Sequence, residues 1–121
     1  MRPSLNILIV EDEALFAMDI QMELELAGHT VCHVSATGEE AIVRVNESLP
    51  DLILMDTRLA GVLDGIETAR IIMAGHAVPV IFITGYSEDS IRERTMDLHP
   101  LGYITKPIRF EALQLLLAEL P

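Results

Sequence analysis

Three short runs in this 121-residue chain are almost wholly apolar: Ile7-Leu8-Ile9-Val10, Leu52-Ile53-Leu54-Met55 and Val80-Ile81-Phe82-Ile83. A strand with one wet face alternates apolar and polar residues, so a strand without alternation must be covered on both faces. Segments with helical spacing separate the runs, which predicts alternating strands and helices around a parallel sheet. The reading gives strands at Leu5–Val10, Thr30–Ser35, Asp51–Asp56, Val78–Thr84 and within His99–Thr105. Helices are expected at Glu13–Ala27, Gly38–Ser48, from the Gly61/Gly65 loop to near Gly75, Ser87 to about Met96, and Arg109–Leu120. Gly28 is the expected stop of the first helix and Thr37 the N-cap of the second. The result is five βα units with right-handed crossovers, in one domain spanning 1–121. On the first helix the apolar stripe reads Leu15, Met18, Met22 and Leu26, widened by Phe16, Ile20 and Leu24. On the last, Phe110, Leu113, Leu116, Leu117 and Leu120 face inward.

Composition narrows the function. Eight basic against nineteen acidic residues give a net charge of −11, which argues against direct nucleic-acid binding, since that rests on phosphate neutralisation. No apolar run approaches the roughly 20 residues needed to span a bilayer, and the N-terminus lacks a signal-peptide pattern. A cytoplasmic protein with no membrane contact is expected. The single cysteine, Cys32, excludes an internal disulfide and reads as a small core residue. Most of the six methionines fall on apolar positions of helices and strands and read as core filler. His29, Cys32 and His33 lack zinc-ligand spacing, with strand alternation pointing Cys32 and His33 to opposite faces. His76 and His99 lie near loops and read as solvated.

The chemistry lies where the apolar runs end. The first is followed by Glu11-Asp12, the third strand by Asp56, the fourth by Thr84, and the fifth by Lys106, the only lysine in the chain. Carboxyl ends of parallel strands share one edge, where open α/β sheets bind their ligands. Three clustered carboxylates repel one another unless a hard cation is present. Magnesium favours oxygen ligands and commonly binds through one or two carboxylates plus phosphate. A hydroxyl and an ammonium supply partners for further phosphoryl oxygens, and a carboxylate can accept the phosphoryl group itself. Taken singly, Asp12 could be a helix cap, Asp56 and Thr84 turn residues, and Lys106 a surface lysine.

The arrangement strongly resembles the receiver domain of bacterial two-component response regulators, over essentially the whole chain. The matching pieces are Ile7–Glu13, Leu52–Asp56, Asp64-Gly65-Ile66-Glu67, Val80–Gly85 and Gly102-Tyr103-Ile104-Thr105-Lys106-Pro107. The resemblance implies a flavodoxin-like, doubly wound α/β fold with strand order 2-1-3-4-5. Asp56 would accept phosphate from a histidine kinase or phosphotransfer protein. Asp12 would bind magnesium directly, Glu11 through water, and Arg58 through its backbone carbonyl. Thr84 and Lys106 would hold the phosphoryl group. Thr84 and Tyr103 would form the switch of an output face on helix four, strand five and helix five, a face that could also pair two copies. A cis Lys106-Pro107 bond would follow. Two departures stand out. Ala60 replaces a common proline in a loop one residue longer than usual, and Tyr86 is bulky beside the site, where with Arg58 it would shield a phosphoryl group from water. The alternatives are a magnesium-dependent aspartyl-phosphate phosphatase of haloacid-dehalogenase type, which normally has a second acid where Arg58 stands, and a phosphorylation-independent adaptor of the same fold.

Overall fold

Alternating strands and helices do form. The computed structural model describes residues 4–85 and 88–120. Its strands are β1 (Asn6–Val10), β2 (Thr30–Ser35), β3 (Leu52–Asp56), β4 (Val80–Thr84) and β5 (Gly102–Thr105). Its helices are α1 (Ala14–Leu26), α2 (Gly38–Glu47), α3 (Gly65–Gly75), α4 (Glu88–Thr95) and α5 (Phe110–Leu117). One parallel sheet has the order β2-β1-β3-β4-β5, the doubly wound α/β arrangement expected. Ser87 and Tyr86 lie outside the described residues.

The absence of alternation now has its physical cause. Leu8, Val10, Ile53, Met55, Val80 and Phe82 pack toward α2, α3 and α4, against Ala41, Val45, Ile66, Ala69, Ile72 and Ile91. Their neighbours Ile7, Ile9, Leu52, Leu54, Ile81 and Ile83 pack toward α1 and α5, against Ala17, Ile20, Leu24, Leu113 and Leu117. Both faces of the central strands are dry.

Local chemistry sets the helix ends. Gly28 adopts φ +96° after α1. Its N–H donates to Glu25 O, and that of His29 to Leu24 O, satisfying the last carbonyls of the helix. Thr37 Oγ1 accepts from Glu40 N–H at 3.1 Å, and Asp64 with Glu67 forms a capping box on α3. At Gly65 a Cβ would lie 1.8 Å from the Asp56 carbonyl oxygen. Only glycine lets α3 start against the end of β3.

Three readings need correction. Leu15, Met18, Met22 and Leu26 form the outer face of α1, with Leu15 80% and Leu26 79% exposed. The buried stripe is Ala17, Ile20 and Leu24. Apolar residues occupy so many positions of ALFAMDIQMELEL that spacing alone could not choose a face, and the small Ala17 lies on the face packed against the sheet. Cys32 is exposed rather than core. Pairing between β1 and β2 skips from Val31 to His33, so Cys32 sits in the irregularity on an edge strand, its Sγ donating to the Ile7 carbonyl. The methionines are not core filler as a group either, since Met18, Met22 and Met96 are exposed while Met55 is buried.

Candidate functional site

The winding reverses at β1, whose neighbours β2 and β3 lie on opposite sides. A crevice opens outside the strand carboxyl ends at such a point. Here it has a volume of about 430 Å³ and is lined by Asp12, Glu13, Asp56, Thr57, Arg58, Gly85 and Lys106.

Asp56 ends β3 and is buried, yet its carboxylate reaches the crevice. Its Oδ1 accepts the Arg58 N–H at 3.0 Å, and its Oδ2 accepts from Lys106 Nζ at 3.0 Å. Glu11 lies buried beneath. Its Oε2 accepts the Glu13 N–H at 3.0 Å, while Oε1 is 3.1 Å from Lys106 Nζ without hydrogen-bond geometry. Asp12 does not cap α1, because Glu13 holds that position without a side-chain cap. Its Oδ2 instead accepts the Ala60 N–H across the crevice at 3.1 Å, a bond that proline at 60 could not make.

Oxygen atoms of Glu11, Asp12 and Asp56 all lie within 4.8 Å of one another. An all-oxygen set with one buried oxygen short of a hydrogen bond fits a hard cation. Lys106 is held by its own N–H to the Thr84 carbonyl at 2.9 Å and precedes a cis proline. Its ammonium also meets Glu13 Oε1 at 3.3 Å and lies 4.5 Å from the Phe16 ring centroid. Thr84 is fully buried at the end of β4, and Gly85 beside it lines the crevice. Neither Glu13, Phe16 nor the Ala60 N–H was singled out as a site group from sequence. The position of Glu13 directly after the acid pair was the one signal available.

Tyr103 is half-buried on β5 and stacks on Phe82, with centroids 6.1 Å apart. Its hydroxyl is 2.5 Å from Thr95 Oγ1 on α4, and the Arg92 guanidinium lies 4.5 Å from its ring centroid. Ion pairs join Arg94 to Asp64 and Arg70 to Asp97 nearby. The fifth strand and fourth helix are thus tied at the predicted switch residue.

Burial and neighbouring charge perturb Glu11 and Lys106. Burial, then the adjoining Asp56 carboxyl, pushes the Glu11 carboxyl up to about 7. For Lys106 burial acts to lower the value, but Asp56 and Glu11 outweigh it and hold the ammonium above the ordinary lysine range. The Glu11 shift has a measurable consequence. Its folded value lies above the ordinary 4.5, so the folded state binds the extra proton between them. The stabilisation is full below about pH 4.5 and lost as pH rises through about 7. Urea unfolding without divalent metal should show a loss on the order of 2 kcal/mol between pH 4.5 and 8. Glu11→Gln should remove most of that slope, and an unchanged slope would contradict the assignment.

Comparison with known proteins places the chain in a family. The family described as the response regulator receiver domain matches residues 7–118. The phyllosphere-induced regulator PhyR of Methylorubrum extorquens is 45% identical over 105 residues, covering 86% of this chain and 39% of that protein. The transcriptional regulatory protein PdtaR of Mycobacterium tuberculosis is 32% identical over 102 residues, covering 84% and 49%. The chain therefore spans less than half the length of these two relatives. The signal receiver domain of a modulated diguanylate cyclase from Desulfovibrio desulfuricans G20 superposes with a TM-score of 0.89 at 36% identity, covering 98% of this chain and 94% of that one. No helix among the described residues is long and apolar enough to cross a membrane.

Proposed function

Because the chain belongs to the response regulator receiver domain family of two-component signalling, we propose that Asp56 is its phosphoacceptor. The observation that carries this reading is the Lys106 ammonium 3.0 Å from the Asp56 carboxylate at an open crevice. The donor is a phosphohistidine on a histidine kinase or phosphotransfer protein. An Asp56 carboxylate oxygen forms the new O–P bond, the P–N bond breaks, and the imidazole leaves with the electron pair and takes up a proton. Lys106 turns from the carboxylate to a phosphoryl oxygen, and the Thr84 hydroxyl donates to another. Glu11, Asp12, Asp56 and the Arg58 backbone carbonyl are the groups assigned to hold magnesium. When bound, the cation supplies positive charge against the phosphoryl oxygens.

The reading makes residues 1–121 one receiver domain that turns over no external substrate, working in the cytoplasm. The phosphatase alternative lacks its second acid, because Arg58 stands there and donates its N–H to Asp56. Output is assigned to the face of α4, β5 and α5, through Thr84 and Tyr103. Pairing of two copies is assigned to the same face, where Leu115 of α5 is exposed. Net charge −11 supports a protein partner rather than nucleic acid.

Incubation with acetyl phosphate and magnesium, followed by borohydride reduction and peptide mass spectrometry, tests the acceptor. Conversion of Asp56 to homoserine is the expected result. Phosphoryl on another residue, or none, would overturn the reading.

A further inference from the structure

The Lys106 ammonium rests on an aromatic ring as well as on acids. Phe16, third residue of α1, lies half-buried beside Pro107 and Ile108, and its ring centroid is 4.5 Å from Nζ. We propose that Phe16 is a positioning residue for phosphorylation, holding the Lys106 ammonium beside the acceptor through the face of its ring. The proposal rests on Asp56 being the phosphoacceptor.

A lysine head is a mobile point charge on a four-carbon stem, with three donors and no rigid plane to orient it. Its three acid partners here are unreliable anchors during the reaction. Glu11 and Asp56 belong to the oxygen set that fits a cation, and Asp56 also becomes phosphorylated. Glu13 is exposed and its pairing is screened by water. The π face differs from all three. It does not titrate, does not bind a hard cation through oxygen, and is unchanged when phosphate arrives. At 4.5 Å it is within the range where an ammonium is attracted to the ring quadrupole. It therefore remains a partner when the carboxylates turn elsewhere, keeping the ammonium near the developing phosphoryl charge.

Lys106 is the only lysine, so lysine labelled with ¹³C at Cε gives one resonance that reports this contact. In the wild type its Hε protons should be shifted upfield by the ring current, and Phe16→Leu should abolish that shift. Rates of phosphorylation by acetyl phosphate should fall about fivefold in Phe16→Leu. Phe16→Tyr should retain the wild-type rate, and progressive ring fluorination should lower the rate in graded steps. Magnesium affinity by calorimetry should be unchanged throughout. A missing ring-current shift, or equal rates for phenylalanine, leucine and the fluorinated rings, overturns the positioning role and leaves Asp56 as acceptor intact. Failure of the wild type to take up phosphate while the ring-current shift persists overturns the acceptor reading, and with it this one.

Discussion

Asp56→Asn is expected to abolish phosphoryl uptake from acetyl phosphate, and Lys106→Ala to slow it by about a hundredfold. The first result follows from nucleophilicity. An amide keeps the shape of the side chain, including an oxygen for the Arg58 N–H, but cannot form a stable acyl phosphate. The second follows from charge. The Lys106 ammonium lies against both Asp56 and Glu11, and the transferring group brings further negative charge to them. Metal affinity separates this cause from a trivial one. Removing the ammonium leaves the acids more repulsive toward each other and more attractive to a cation, so Lys106→Ala should bind magnesium at least as tightly as wild type. Asp12→Ala should instead bind it more weakly. Mass-spectrometric time courses with calorimetric titrations read both quantities. A Lys106→Ala chain that is phosphorylated at the wild-type rate would remove this residue from the chemistry.

How much of this was legible in the sequence depends on what each feature is made from. The strands were legible because burial on both faces leaves an uninterrupted apolar run, as at Ile7–Val10 and Val80–Ile83. The site was legible because parallel strands end at one edge, and polar groups followed four of them. The outer face of α1 was not, since Ala17-Ile20-Leu24 and Leu15-Met18-Met22 are both apolar stripes, and packing against the sheet selects the first. The exposure of Cys32 depends on a register irregularity between two strands, which neither strand encodes by itself. The Ala60 N–H on Asp12 is a backbone donor, present at every residue but proline, so identity says little about where it points. Phe16 looked like core because it does pack there, and its second role appears only when Lys106 is placed above it.

The misread face of α1 leads to the second large effect. The double substitution Leu15→Glu/Met18→Glu should lower phosphotransfer from a phosphohistidine protein by about a hundredfold, at two anchors worth about 1.5 kcal/mol each. The rate with acetyl phosphate should stay at the wild-type value. A macromolecular donor must bring its imidazole to Asp56, and so must cover the surface beside the crevice. α1 begins immediately after Glu13, and its third residue touches Lys106. Along it Leu15, Met18 and Met22 stand exposed, and a cleft of about 590 Å³ runs between this helix and the Pro107–Phe110 segment. Acidic Asp19, Glu23 and Glu25 flank the stripe, so a donor helix with an apolar centre and basic edges is the complementary occupant. Leu15 is 80% exposed, which makes its replacement mild for the fold and costly only for docking. Acetyl phosphate reaches the crevice without covering α1 and serves as the internal control. If both donors slow equally in the doubly substituted chain, the substitutions have disturbed the site itself. If neither slows, the donor approaches from another side.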